Sequence, residues 1–360
     1  MQLGRDDLEA AVIGGGVLGG GGGGSMTDGQ RLGDAALEAG SPTLVSLDAL
    51  PPDAWVATVS LVGAQAASTA HVEPEDHLRA WQMLTELAGR PLAGIITCEN
   101  GAAATVNGWF QSAKLGVPVV DAPADGRAHP TGDMGSLGLE RDPAYVSLQS
   151  AAGGDRARGR YLELQVRGPL AATNRLVRAA AEAAGGLVAV ARHPVTAAYL
   201  EQHAAKGAIA QALALGRRLR EDRPRGADAV AAGLCEQLGA TIVTSGPVAA
   251  VERQTRGGYD VGLMRIGDVE LAFWNEYVTC ERLGVRLATF PDLIVTIDAD
   301  TTLPLTTADL AAGRPIVVLT APASALKLGA GLRVRSNLAA IEPAVGKEIL
   351  RYRPDAEAHS

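Results

Sequence analysis

VPVVDAPADGRAHP, residues 117–130, is the stretch that decides the fold. Its apolar start reads as a short strand, and at Asp121 it breaks into a polar turn carrying Asp125, Gly126, Arg127 and His129. Strands that end in polar turns are where α/β proteins commonly hold small ligands, because the rigid strand fixes groups that the turn exposes. Just upstream, GIITC at 94–98 ends the same way, in Glu99-Asn100-Gly101. Two carboxylate-bearing strand ends so close in the chain point to one site built from neighbouring loops. Asp and Asn also cap helices and close turns, so that plainer role stays open for each of them.

Outward from this pair the chain alternates strand and helix. Strands are expected at 43–47, 56–62, 94–98 and 117–120. Between them lies a helix opened by Pro74-Glu75-Asp76, with Leu78, Trp81, Leu84 and Leu87 on its apolar face, and a shorter one over 110–115. That rhythm predicts an α/β domain with a largely parallel sheet. The small, polar segment 151–160 reads as a boundary, giving an N-terminal domain over 1–155 and a second domain over 161–352. The second half begins with helical periodicity at 171–184 and 196–220, the latter jointed at Lys206-Gly207. It then turns β-rich, with a tight hairpin expected at Gly267-Asp268, so an α+β domain is predicted.

With 360 residues, 47% hydrophobic and 20% charged, the chain can bury two sizeable cores. Its formal net charge of -8 argues against a nucleic-acid partner, which needs a concentrated basic face. No apolar stretch is long enough to span a membrane. Three scattered cysteines suggest reduced thiols and a cytoplasmic setting. Cys98 reads as a buried structural thiol, and the six histidines show no metal-pair spacing.

The N-terminus sets a second puzzle. A short helix over 7–12 runs into Gly14-Gly15-Gly16 and then six glycines, Gly19 to Gly24. Gly14, Gly16 and Gly19 formally satisfy a dinucleotide fingerprint, but further glycines follow where a helix would have to open. No nucleotide cofactor is therefore expected. A loop whose bare backbone comes close to a ligand, or to another chain segment, is the better reading.

Taken in order, these motifs resemble the DUF917 family, also called the S-methyl thiohydantoin desulfurase-like family. The resemblance rests on Leu18-Gly19 with the polyglycine, Glu99-Asn100-Gly101, Pro118-Val119-Val120-Asp121-Ala122 and Gly126-Arg127-Ala128-His129-Pro130. In the second half it continues through Gly267-Asp268, Asn275-Glu276, Pro291-Asp292-Leu293-Ile294, Asp298 and Pro304-Leu305-Thr306. It implies a hydrolytic or lyase enzyme of hydantoin-type metabolism, in which water replaces sulfur on a thiohydantoin ring. Such chemistry needs a group to activate water and donors to stabilise charge on sulfur. Glu99, Asp121 and Glu276 are the candidate bases and Arg127 a candidate donor. Gly21, Gly22, Gly23, Ser25, Asn100, Asp125, His129 and Asn275 are candidate contacts to a small-molecule substrate.

The chain also departs from the family pattern. Ser25 follows the polyglycine, Pro123 takes the second acid of Asp-Ala-Asp, and Thr131 follows Pro130, each where the family usually shows an acid. Asp125 and Asp133 lie close enough to compensate in part. Those losses leave a divalent metal an open question. They also sustain an alternative, a non-catalytic ligand-binding or partner subunit that kept the fold, and homo-oligomerisation stays open too.

Overall fold

The computed structural model describes residues 1–63, 69–256 and 259–356. Seven strands form the largest sheet: β1 (Leu44–Val45), β2 (Trp55–Gly63), β3 (Gly94–Thr97), β4 (Val119–Val120), β5 (Val146–Gly153), β6 (Leu162–Pro169) and β7 (Leu187–Thr196). Their order is β1-β4-β3-β2-β7-β5-β6. The four strands from β1 to β2 run parallel, as the strand-helix rhythm predicts. From β2 onward the pairing to β7, β5 and β6 is antiparallel, so the sheet is mixed. The 151–160 segment forms the end of β5 and the turn leading to β6, and the sheet draws strands from both sides of it.

Helices α1 (Arg5–Leu18), α2 (Met26–Ala39), α3 (Pro74–Ala88) and α4 (Trp109–Leu115) belong to this half. A Pro in the first turn and a Glu73/Asp76 capping box start α3. It buries Trp81, Met83 and Leu84 against Val59 and Ile95 of the sheet. Four more helices follow: α5 (Leu170–Ala183), α6 (Ala197–His203), α7 (Ala208–Asp222) and α8 (Ala227–Leu238). The break between α6 and α7 falls at the joint read at Lys206-Gly207.

The remaining strands are β8 (Thr241–Pro247), β9 (Ala250–Arg256), β10 (Tyr259–Ile266), β11 (Val269–Trp274), β12 (Glu276–Arg282), β13 (Val285–Thr289), β14 (Leu293–Asp298) and β15 (Pro315–Ala321). They make a five-stranded antiparallel sheet, β13-β12-β11-β10-β9, and a three-stranded one, β14-β15-β8. Met264, Leu271, Phe273 and Tyr277 of the first pack against Ile294, Ile316 and Val318 of the second. The expected hairpin is present: Ile266 pairs with Val269 across Gly267-Asp268.

One reading of the N-terminus needs correction. The helix does not stop at residue 12; α1 continues through Gly14, Gly15 and Gly16 to Leu18. Each interior glycine weakens a helix by about 1 kcal/mol relative to alanine. Here close approach to α7 offsets that cost. A Cβ on Gly14 would stand 1.8 Å from the Ala212 carbonyl oxygen, and one on Gly216 1.9 Å from that of Ala10. Only residues 19–24 are loop.

Candidate functional site

The glycine loop is a bracket between the two halves of the chain. Its carbonyls do the holding: Gly20 accepts from the Tyr277 amide at 2.8 Å and Gly21 from that of Thr307 at 2.8 Å. Gly23 accepts from the amides of Ala103 and Ala104, at 3.1 and 3.0 Å. The loop thus ties the segment after β3 to the start of β12, and Glu99 and Glu276 come to face one cavity of about 630 Å³. Two of its glycines lie hard against their neighbours. A Cβ on Gly22 would lie 1.9 Å from Glu276 Oε1. Gly23 has φ +73, and its Cα lies 2.3 Å from where a Cβ on Gly101 would stand.

The two glutamates sit in unequal surroundings: Glu276 is buried, and the Glu99 side chain is 17% exposed. Burial pushes Glu99 up to about 7, opposed by the His129 amide and by the charges of Arg192 and Arg127. That amide donates to Glu99 Oε2 at 3.1 Å. Glu276 rises well above its ordinary value, first through burial and then through repulsion from Glu99, with Arg127 pulling the other way. Its Oε2 has no hydrogen-bond partner. Near neutral pH the pair therefore offers one carboxyl that keeps its proton and one poised to lose it.

His129 and Cys98 line the same cavity. Burial holds His129 near 3, so its ring is neutral, and Nε2 lies 3.4 Å from Glu99 Oε2 and 3.7 Å from Cys98 Sγ. Burial raises the Cys98 thiol to about 11, which keeps it protonated. Gly21, Gly22, Gly23, Ser25 and Asn275 are also in the cavity wall. Asn275 sits between β11 and β12 with φ 58, a conformation Asn tolerates, and its side-chain oxygen accepts from the Asp260 amide at 2.9 Å.

Other expected site residues lie elsewhere. Asp121 is outside the cavity wall: its carboxylate accepts from the amides of Ile209 (2.7 Å) and Ala210 (3.2 Å) at the start of α7. It closes a helix N-terminus, the plainer role open to it from the sequence. Asn100 is buried behind the wall, donating to the carbonyls of Gly126 and Ala208. Asp125 is fully buried, accepts from the Gly329 amide at 2.9 Å, and stands 3.7 Å from His129 Nε2. Arg127 does not reach the cavity surface. It donates to the carbonyls of Pro291 (3.1 Å) and Asp292 (2.5 Å) and stacks 4.4 Å from the Phe290 ring. Although burial lowers it to about 10, it stays cationic at neutral pH and acts on both glutamates through space.

The sequence reading missed several wall residues: Asp28, Arg175, Arg178, Arg192 and Tyr259. Arg175 and Arg178 stand three apart on α5, a same-face spacing that could have flagged them. Asp28 lies three residues beyond the missing family acid, and Ser25 donates to its Oδ2 at 2.6 Å. Asp133, named as a partial substitute, does line the cavity and accepts from Asn174 Nδ2 at 2.5 Å. Among the described residues, no group of three or more His, Cys, Asp or Glu is set to hold a metal ion.

A mixed-sheet α/β half joined to β-rich sheets, with a polar cavity where they meet, defines a class of two-part α/β proteins. Residues 6–157 match the S-Me-THD-like N-terminal domain, and residues 169–335 match the S-Me-THD-like C-terminal domain. The chain belongs to this S-methyl thiohydantoin desulfurase-like family. An X-ray crystal structure of a protein from Chromobacterium violaceum, a structural genomics target, has a similar fold. It aligns with a TM-score of 0.69 at 24% identity, over 95% of this chain and 96% of that one. A comparison with curated proteins found no match. No helix among the described residues is long and apolar enough to cross a membrane.

Proposed function

We propose that the protein hydrolyses a small cyclic thiohydantoin-like substrate, exchanging ring sulfur for oxygen. The observation that carries this reading is the Glu99/Glu276 pair: two largely enclosed carboxyls on one cavity, with proton affinities set apart by their surroundings. Membership of the S-Me-THD-like family supports the choice of substrate class.

In this mechanism ionised Glu99 takes a proton from water as the water oxygen bonds to C2 of the ring. The C=S π pair moves onto sulfur, which receives the Glu276 proton. Collapse of the tetrahedral centre breaks the C–S bond and forms C=O. The hydroxyl proton returns to Glu276, and Glu99 gives its proton to the departing hydrosulfide. Water and thiocarbonyl thus become carbonyl and hydrogen sulfide, with both glutamates restored. Arg127 and Arg192 keep Glu99 ionisable in a site that burial would otherwise neutralise.

The test is sulfide release from 2-thiohydantoin, and methanethiol release from its S-methyl derivative, by wild type, Glu99→Gln and Glu276→Gln. The reading expects turnover in wild type and a loss of about 10²-fold or more in each variant. Unchanged rates in both variants, or hydantoin binding without turnover, would sink it. The latter result would place the protein with the ligand-binding alternative.

A further inference from the structure

The seven-stranded sheet ends in β6, and the outer edge of that strand pairs with no other strand among the described residues. An open edge is a row of unpaired amides and carbonyls, a template for another strand unless a bulge or a covering segment blunts it. The ladder from β5 to β6 runs unbroken from Val146↔Pro169 to Gly153↔Leu162, without a bulge. The edge strand β13 is different. It exposes Val285 and Leu287, but its ladder to β12 is interrupted at Cys280/Glu281, and its one charge, Arg286, is already held by Glu281.

Along β6 the side chains alternate. Leu162, Leu164 and Val166 pack with Val177 and Ala181 of α5, while Glu163, Gln165 and Arg167 are exposed on the other face. Glu163 accepts from Arg79 (2.9 and 2.8 Å) and from Tyr161 (2.8 Å), which leaves part of its acceptor capacity open. Arg167 makes no ion pair among the described residues. A copy of the same strand run antiparallel, with Gln165 against Gln165, sets Glu163 opposite Arg167 and Leu164 opposite Val166, each twice. A slip of one residue would put paired side chains on opposite faces. A slip of two would set Gln165 against Glu163 or Arg167 and leave the charges unmatched. We infer that β6 is a self-complementary edge through which a second copy of this chain docks, giving a two-fold dimer with one continuous sheet. The two-fold axis stands perpendicular to that sheet, so α5 lies on the same face as its copy. Leu176 of α5 is 50% exposed, and with Ala172 and Ala179 it forms the flank away from Asn174, Arg175 and Arg178 in the cavity wall. That flank gains apolar cover in the dimer. The assembly is independent of the reaction assigned to the cavity.

Light scattering behind size-exclusion chromatography, on the full chain, reads the assembly. Wild type is expected as a dimer. Arg167→Glu places like charges at both contacts with Glu163, and Glu163→Lys does the same with cations. Each should raise the dimer dissociation constant about tenfold or more. Mixed in equal amounts, the two variants should reassociate as a heterodimer, because each chain then meets the opposite charge at both contacts. Leu176→Glu, at a half-exposed helix position, should weaken the dimer to a similar degree and serves where a β6 variant fails to fold. A wild type that stays monomeric up to about 100 μM overturns the inference. So does a dimer that neither charge reversal nor Leu176→Glu weakens. Dissociation of both charge variants with no recovery in the mixture overturns the antiparallel register, and the self-complementary edge with it.

Discussion

Glu99 and Asp121 end adjacent parallel strands, β3 and β4, and from the sequence they look interchangeable. What each meets next separates them. Asp121 runs into the start of α7, where its carboxylate accepts hydrogen bonds from two amides and its backbone oxygen accepts a third from the Gly207 amide. Glu99 meets a cavity in which one amide and two arginines, neither of them ion-paired to it, are all that offset burial. A carboxylate satisfied by a helix terminus is a structural part, whereas one left under-satisfied beside a second carboxyl holds a proton it can give up. On the proposed mechanism, the role of Glu99 follows from incomplete satisfaction rather than from the strand-end position itself.

The largest effect that could break this comparison comes from replacing the carboxyls. Glu276→Gln should cut kcat by about 10²- to 10³-fold and leave hydantoin binding within about threefold, because only the proton is removed. Asp121→Asn should change kcat less than about twofold, since its partners are helix amides. Matching losses in steady-state sulfide release would show that the two strand ends are not functionally distinct.

Gly22→Ala comes next. Gly22 lacks the positive φ that marks its neighbours Gly20, Gly21 and Gly23, so its backbone suits alanine. The added methyl would collide with Glu276 Oε1 at 1.9 Å. A fall in kcat of about tenfold or more, with circular dichroism unchanged, is expected from displacement of that carboxyl. Wild-type turnover in a folded Gly22→Ala protein would remove Glu276 from the chemistry.

Much of this was legible from residues alone. The parallel strands β1 to β4, the Pro74 helix and the hairpin at Gly267-Asp268 follow from local pattern and turn chemistry. Glu99 and Glu276 were visible through motif position, and both face the cavity. Asp121 misled because a strand-end carboxylate has the same local signature whether a cavity or a helix terminus lies ahead, and α7 lies far along the chain. Gly14–Gly16 misled because their need for glycine comes from distant segments, α7 for Gly14, Gly101 and Thr105 for Gly15 and Pro304 for Gly16, that no local window contains. Arg192 was missed for a similar reason: one basic residue in an apolar strand gives no hint that it faces a thiol and an open cavity.

The pH dependence offers a finer separation. With Glu99 near 7 and required as the anion, kcat/KM should fall on the acid side of about pH 7, and Glu99→Gln should abolish that limb. Stability runs the opposite way. A carboxyl whose value is raised on folding from 4.5 to about 7 favours the folded state fully below about pH 4.5, and that contribution is lost as pH rises through 7. Glu99→Gln should therefore melt close to wild type near pH 4.5 and above it at pH 8, by a few degrees. A variant that melts lower than wild type at pH 8 would mean that the Glu99 charge is well compensated, which would erase its contrast with Asp121.

The smallest effect, and the sharpest test of the contrast, is Asp121→Ala. Losing a cap at the start of a helix costs about 1 kcal/mol, read as a lower denaturant midpoint at unchanged m-value. Sulfide release per folded molecule should stay within about twofold. A route for a larger effect does exist: α7 packs on α1 through Gly14 and Gly216, and α1 feeds the glycine loop that seats Glu276. If kcat fell much further than the folded fraction, the cap would be acting on the carboxyl pair along that route. Asp121 would then position the site from behind, and the two strand ends would differ in distance from the chemistry rather than in kind.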